Sequence, residues 1–266
     1  MRGVRLAVDE ARAGRMLEDY LARSADRESL RGAARVALAG PDFKLNRPQN
    51  VVVARPARLR FEVVGLFDQL AAVLVSDGES YGFYDASSGE MVHGAVTPDL
   101  LWRLAMVDLG VGETVGLLLG APRPPERGVR AAVWREEGDR LGIAFTRLRP
   151  HRRADCPPAP ESGWLDPACF GEPADLAAGG EAFVFDAGGR LVELRAFEAD
   201  AVLRYRARFA DYVPLPDGER TVEFPLVLTI ESPGVESEAR FAWKRVMLGG
   251  EVADRLFQLP DGGRRW

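Results

Sequence analysis

Apolar residues recur along this chain with two different periods. Between Asp9 and Ser24, the residues Ala13, Met16, Leu17, Tyr20 and Leu21 share one side while charges occupy the other, the spacing of an amphipathic helix. After that the period falls to two. Leu59, Phe61 and Val63 alternate with Arg58, Arg60 and Glu62. Leu203, Tyr205, Ala207 and Phe209 alternate with Arg204, Arg206 and Arg208, and the run Val222 to Ile230 repeats the pattern. Such alternation marks strands with one buried face. Shorter apolar runs at 33–38, 50–54, 70–75, 81–84, 91–94, 129–135, 141–146, 183–185, 191–197 and 241–247 are further strand candidates. Asp77-Gly78, Ser88-Gly89, Glu137-Gly138-Asp139 and Asp186 to Gly189 supply the hairpin turns between them.

Two helices interrupt this β pattern. Thr97-Pro98-Asp99 predicts the start of the first, with Thr97 as cap, and Leu100, Leu101, Leu104 and Met106 fill its apolar side. The second runs near 112–119 and stops at Gly120-Ala121-Pro122. There is no strand–helix–strand rhythm. The expectation is therefore a single mainly β (α+β) domain over 1–266, with about eleven strands in one strongly curved antiparallel sheet. Its concave face would carry Phe61, Val63, Leu74 and Phe83 from the first half, and Tyr205, Phe209, Phe224 and Trp243 from the second. The N-terminal helix and the helices near 98–120, through Leu101, Leu104 and Leu118, are expected to cover it.

Composition narrows the functional classes. With 35 basic and 40 acidic residues the net charge is −5, so no global field favours nucleic acid. Only Lys44 and Lys244 among the basic residues are lysines. No window approaches the ~20 apolar residues of a membrane helix, and no signal peptide or lipid-attachment cysteine is read at the start. Cys156 and Cys169 lie in a Pro-rich loop expected over 147–180 and read best as a disulfide pair; a metal site or redox pair would want closer spacing. An oxidising compartment would follow. No metalloprotease, hydrolase-elbow or phosphate-loop motif is present, and the two histidines, His93 and His151, lack the context of a triad. The chain is thus expected to have no catalytic residues, no metal and no cofactor.

Between Arg55 and Gly120 the pattern resembles a known family. RPARLRFEV followed by SDGESYGFYD resembles the lipoprotein-carrier (LolA/LolB-like) superfamily of the bacterial Lol pathway. It is most similar to the outer-membrane receptor branch, LolB, which has a protruding apolar turn matched here by Gly65-Leu66-Phe67-Asp68. The helix stop Leu119-Gly120-Ala121-Pro122 and the C-terminal LFQLPDG, resembling the superfamily's closing strand, extend the likeness. The cysteine-bearing insertion departs from it. The resemblance implies an unclosed β-barrel whose helices cap an apolar cavity. It implies a periplasmic protein, associated with the outer membrane, that accepts acylated lipoprotein and helps insert it there. Leu66 and Phe67 would be the membrane-docking turn. Partners would be acyl chains, the inner leaflet of the outer membrane and a periplasmic lipoprotein carrier, with the chain a monomer. The competing expectation is a lipid- or partner-binding sensor or scaffold of the same shape that transfers nothing.

Overall fold

In the computed structural model, residues 10–65, 67, 69–125, 129–146, 178–199, 202–218 and 220–259 are described. The amphipathic helix α1 spans Glu10–Ser24. The strands are β1 (Ser29–Ala39), β2 (Lys44–Ala54), β3 (Arg58–Val64), β4 (Leu70–Ser76), β5 (Ser80–Asp85) and β6 (Glu90–Ala95). Helices α2 (Leu100–Ala105) and α3 (Val111–Leu118) follow. The second run of strands is β7 (Val129–Glu136), β8 (Arg140–Thr146), β9 (Ala178–Phe185), β10 (Leu191–Ala199), β11 (Leu203–Asp217), β12 (Arg220–Ser232) and β13 (Ser237–Leu248).

All thirteen strands join one sheet in the order β6-β5-β4-β3-β2-β1-β13-β12-β11-β10-β9-β8-β7, which does not close on itself. The fold is mainly β, with hairpin after hairpin and antiparallel pairing, as the period-two pattern predicted. Strands number thirteen rather than about eleven because every short candidate pairs. β1 and β2 are also longer than their apolar cores: β2 takes in the polar run Asn46-Arg47-Pro48-Gln49, which hides it from a hydrophobic pattern. The loop expected up to residue 180 ends earlier, since β9 begins at Ala178. His151 and the proposed Cys156–Cys169 pair lie outside the described residues.

The described chain forms two compact units. One contains α1, β7 to β10, β11 as far as Phe209, and Glu231–Gly234. Its apolar side is Leu141, Ile143, Phe183, Phe185, Leu194 and Tyr205, each 3% exposed or less. Tyr20 of α1 meets Phe183 and Phe185 edge-on, at 6.3 and 5.4 Å between ring centroids. The other side is polar: Arg195 binds Glu136 (2.8 Å) and Glu193, and Arg206 and Arg208 reach Glu193 and Glu231.

The second unit contains Ala25–Pro122, Ala210–Ile230 and Val235 onward. Here the two faces of β2 to β5 are covered differently. One is closed by the C-terminal segment, where Val252 and Phe257 pack on Ala54, and Leu259 on Val73 and Val75. Gly82 makes that possible, because a Cβ there would lie 2.8 Å from Leu259 Cδ1. The described part of LFQLPDG, residues 256–259, forms no strand: Asp254–Phe257 is a 3-10 turn, held by Arg58 on Asp254 (2.6 Å) and Arg60 on the Leu256 carbonyl (3.0 Å). The opposite face carries the candidate site.

Candidate functional site

Cross-strand registers lay out the opposite face of the second unit. Val51 pairs with Phe61, Phe61 with Leu74, Leu74 with Phe83, and Phe83 with Val92. One apolar row therefore crosses five strands, and Val63 and Ala72 begin the next. Burial along the row is uneven. Val51 and Leu74 are buried, whereas Phe61, Phe83, Val92 and Val63 are only half-buried. A sheet face with that much apolar surface in partial contact with water is unfinished as a core.

The face bends inward. β3 and β13 are three strands apart, roughly 14 Å in a flat sheet, yet the rings of Phe61 and Phe241 lie 6.2 Å apart. Gly32 on β1 contributes to this: a Cβ there would sit 2.9 Å from the Trp243 ring, so only glycine lets the indole lie over the strand. Trp243 then meets Phe224 at 6.3 Å. Trp243 and Phe224 are 6% and 0% exposed, so they form the packed floor of this face.

The two helices after β6 differ in how firmly they are held. α3 is buried on nearly every side, through Val111, Val115, Leu117 and Leu118, as befits a helix apolar all round. Its start is capped by Glu113, whose carboxylate accepts from the Gly110 N–H at 2.9 Å. At its end, Arg27 Nη1 donates to the carbonyls of Leu119 (3.2 Å) and Gly120 (3.1 Å). Arg55 donates to the Ala121 carbonyl through Nη2 and to the Arg27 carbonyl through Nε at 3.2 Å. Arg27 thus satisfies the carbonyl left open at the C-cap and the one after it, and Arg55 ties the Ala121 that follows to the Arg27 backbone.

By contrast, α2 has only six residues and no side-chain cap. The predicted cap Thr97 is engaged elsewhere, accepting from Arg103 at 3.0 Å, and the helix begins three residues later at Leu100. A hydrogen bond from Thr97, helped by one from its own backbone and by the charge of Arg103, holds the exposed Asp99 carboxyl below its usual range. Leu100 and Leu101 are buried, while Trp102, Leu104, Ala105 and Met106 stay half-buried. α2 ends on Met106 with φ +55°, a left-handed residue that stops the helix.

The β3–β4 turn joins two strands of this face. Gly65 N–H donates to Gln69 O at 2.8 Å and closes it. Phe67 at the tip is 97% exposed, and its φ of +57° lies where a side chain of this size is rarely found. Leu66 is outside the described residues.

The predicted site residues therefore fall into distinct environments. Phe61, Val63, Phe83 and Leu104 are half-buried; Leu74, Leu101 and Leu118 are buried in the same unit. Tyr205 and Phe209 belong to the first unit and are 1% and 3% exposed. What pattern reading missed is the pinning of α3 by Arg27 and Arg55, because an arginine among thirty-odd others carries no signal of being buried. His93 is exposed on β6 opposite Gly82. Among the described residues no group of three His, Cys, Asp or Glu could hold a metal ion.

No protein-family model and no curated protein matches the chain. Solved structures do share its fold. A LolA superfamily protein from Nitrosomonas europaea superposes with a TM-score of 0.53 at 10% identity, over 91% of this chain and 97% of that one. A putative outer membrane lipoprotein-sorting protein domain from Vibrio parahaemolyticus gives 0.56 at 8% identity, over 92% and 95%. A DUF1329 family protein from Desulfovibrio piger gives 0.58 at 10% identity, over 94% and 98%. At these identities the likeness is one of fold: mainly β, as the strand pattern led one to expect, and unclosed, as the resemblance implied.

Proposed function

We propose that this chain is a lipid- or lipoprotein-binding protein of the bacterial cell envelope, without enzymatic activity, that takes up acyl chains on the apolar face of its second unit. The reading rests chiefly on Phe67, an almost fully exposed aromatic ring at the tip of a hairpin whose strands carry the half-buried Phe61 and Val63. The fold shared with a lipoprotein-sorting domain supports it. Each acyl CH₂ withdrawn from water is worth about 0.8 kcal/mol, so a free acyl chain needs a second apolar phase to travel. Phe61, Val63 and Phe83 on the sheet, with Leu104 and Met106 on the short α2, are where such a phase would be offered. Transfer between bilayer and protein is then close to neutral, and small differences in affinity set its direction.

In the finer form of this proposal the protein works as the LolB branch does. It receives acylated cargo in the periplasm, docks on the inner leaflet of the outer membrane through Leu66 and Phe67, and releases the acyl chains there. One buried aromatic ring gives roughly 1.5–3 kcal/mol, enough for reversible contact and too little for permanent anchoring. The alternative is a sensor or scaffold that binds lipid and transfers nothing; the firm pinning of α3 by Arg27 and Arg55 favours it. Native mass spectrometry of the gently purified protein tests the binding itself, with a co-purified acylated molecule expected. The charge-bearing variant Phe67→Glu tests docking: folding should persist while liposome binding disappears. A protein that never carries an acylated molecule and ignores liposomes would sink both forms.

A further inference from the structure

We propose that the β1–β2 hairpin is a second docking point on the phospholipid surface, so that the protein meets a bilayer through two aromatic tips; this rests on the lipid-surface reading above. The register carries the inference. β2 pairs with β1 along its whole length, from Lys44 opposite Ala39 to Ala54 opposite Ser29. It pairs with β3 only from Gln49 onward. Residues 44–48 therefore run past the last β3 pair as an arm about 16 Å long, at about 3.3 Å per residue. Its tip closes with the Gly40 N–H donating to the Phe43 carbonyl at 2.9 Å. Pro41, Asp42 and Lys44 are exposed there, and Phe43 is 36% exposed, less than Phe67 but more than most large apolar residues of the described chain.

The two tips share one end of the second unit. β1 and β3 run toward it, β2 and β4 away from it, so residues 40–43 and 65–69 both turn there. Each presents its ring on a separate hairpin, Phe43 between Asp42 and Lys44 in the sequence and Phe67 beside Leu66. A protein partner would call for a contiguous apolar centre, whereas a bilayer interface accepts isolated rings one at a time. Charge points the same way. Lys44 and Arg47 outnumber Asp42, the one carboxylate on the arm, in a chain whose net charge is −5. Glu238 lies across Ala39 from Lys44 and tempers that excess, so the contact is mainly apolar. One inserted ring leaves a protein free to pivot; two on different hairpins fix its angle to the membrane and hence the direction in which the apolar face opens.

The test is co-sedimentation with phosphatidylethanolamine/phosphatidylglycerol vesicles, with circular-dichroism melts as the folding control. Phe43→Ser should weaken vesicle binding roughly fivefold to tenfold with an unchanged melt. Phe43→Ser combined with Phe67→Ser should bring it to background. Lys44→Gln should have a smaller effect that vanishes in high salt. As a second readout, Phe43→Trp should add emission that brominated phospholipid quenches. Vesicle binding lost in Phe67→Ser but unchanged in Phe43→Ser overturns the second docking point and leaves the lipid reading standing. Absence of extra quenching in Phe43→Trp overturns it as well. If the unmodified protein ignores vesicles, this inference falls together with the reading beneath it.

Discussion

Single residues in this protein are informative mainly where they break a local rule. Arg27 is 4% exposed, an uncommon setting for a guanidinium, and it is held there by the Leu119 and Gly120 carbonyls and by the Phe224 ring 6.0 Å away. Removing it leaves two helix-terminal carbonyls unsatisfied inside the protein. Arg27→Leu should therefore lower stability by about 2–3 kcal/mol in urea unfolding, and Arg27→Lys should recover only part of it, because an ammonium lacks the planar fork. Glu136 breaks a rule of a different kind. Burial opposes its charge, yet hydrogen bonds from Arg195 and Trp134 overcome that and hold the carboxyl below the usual glutamate value of 4.5. A depressed value means that its contribution is present above the unfolded value and is lost as pH falls through the folded one. Glu136→Gln should thus destabilise the protein by about 1 kcal/mol at neutral pH, and the difference from the parent should shrink in acid melts as the pH falls through the lowered folded value. None of this can be read from sequence, since nothing local distinguishes Arg27 or Glu136 from the solvated charges around them. Phe67 was legible as a candidate because a large apolar residue in a turn has no local reason to be there; its exposure was not.

At the scale of elements, legibility followed the hydrophobic period. β3 and β12 alternate cleanly and were readable to within two residues, as was α1, whose stripe of Ala13, Leu17 and Tyr20 is buried as the spacing requires, whereas β11 runs eight residues past the alternation that ends at Phe209. The arm of β2 was not, because Asn46, Arg47 and Pro48 pair with β1 by backbone alone and bury nothing. Nor was the C-terminal cover. Its place depends on Gly82, a residue more than a hundred positions earlier, being too small to fill the space under Leu259. That dependence predicts a local effect. Gly82→Val should dislodge Leu259 and speed amide exchange through residues 254–259, with exchange in β1 and β13 unchanged. Exchange that rose evenly across the sheet would mean that the glycine serves the strand instead of its cover. The helices show the same division. α3 could be placed from its apolar run and its Gly-Ala-Pro stop, whereas the start of α2 moved because Thr97 binds Arg103 instead of capping.

For the whole molecule, the deciding contrast is between an apolar side that is sealed and one that is not. In the first unit Phe183 and Phe185 are fully buried under α1. In the second, Phe61, Phe83 and Val92 stay half-buried, although the same unit packs Leu74, Trp243, Phe224 and α3 tightly. On the proposed function, those half-buried residues are where an acyl chain would lie. If it lies along these rows, each added methylene should tighten binding about fourfold, from ~0.8 kcal/mol per CH₂, until the apolar surface is used up. Beyond that length the affinity should level off, and the break should move to shorter chains in Phe83→Ser, which shortens the row without touching the floor. Fluorescence competition with a graded series of fatty acids measures both. A flat response to chain length, or a break unmoved by Phe83→Ser, would place the acyl chain elsewhere. A rise in melting temperature that follows the same series would tie the binding to the folded second unit.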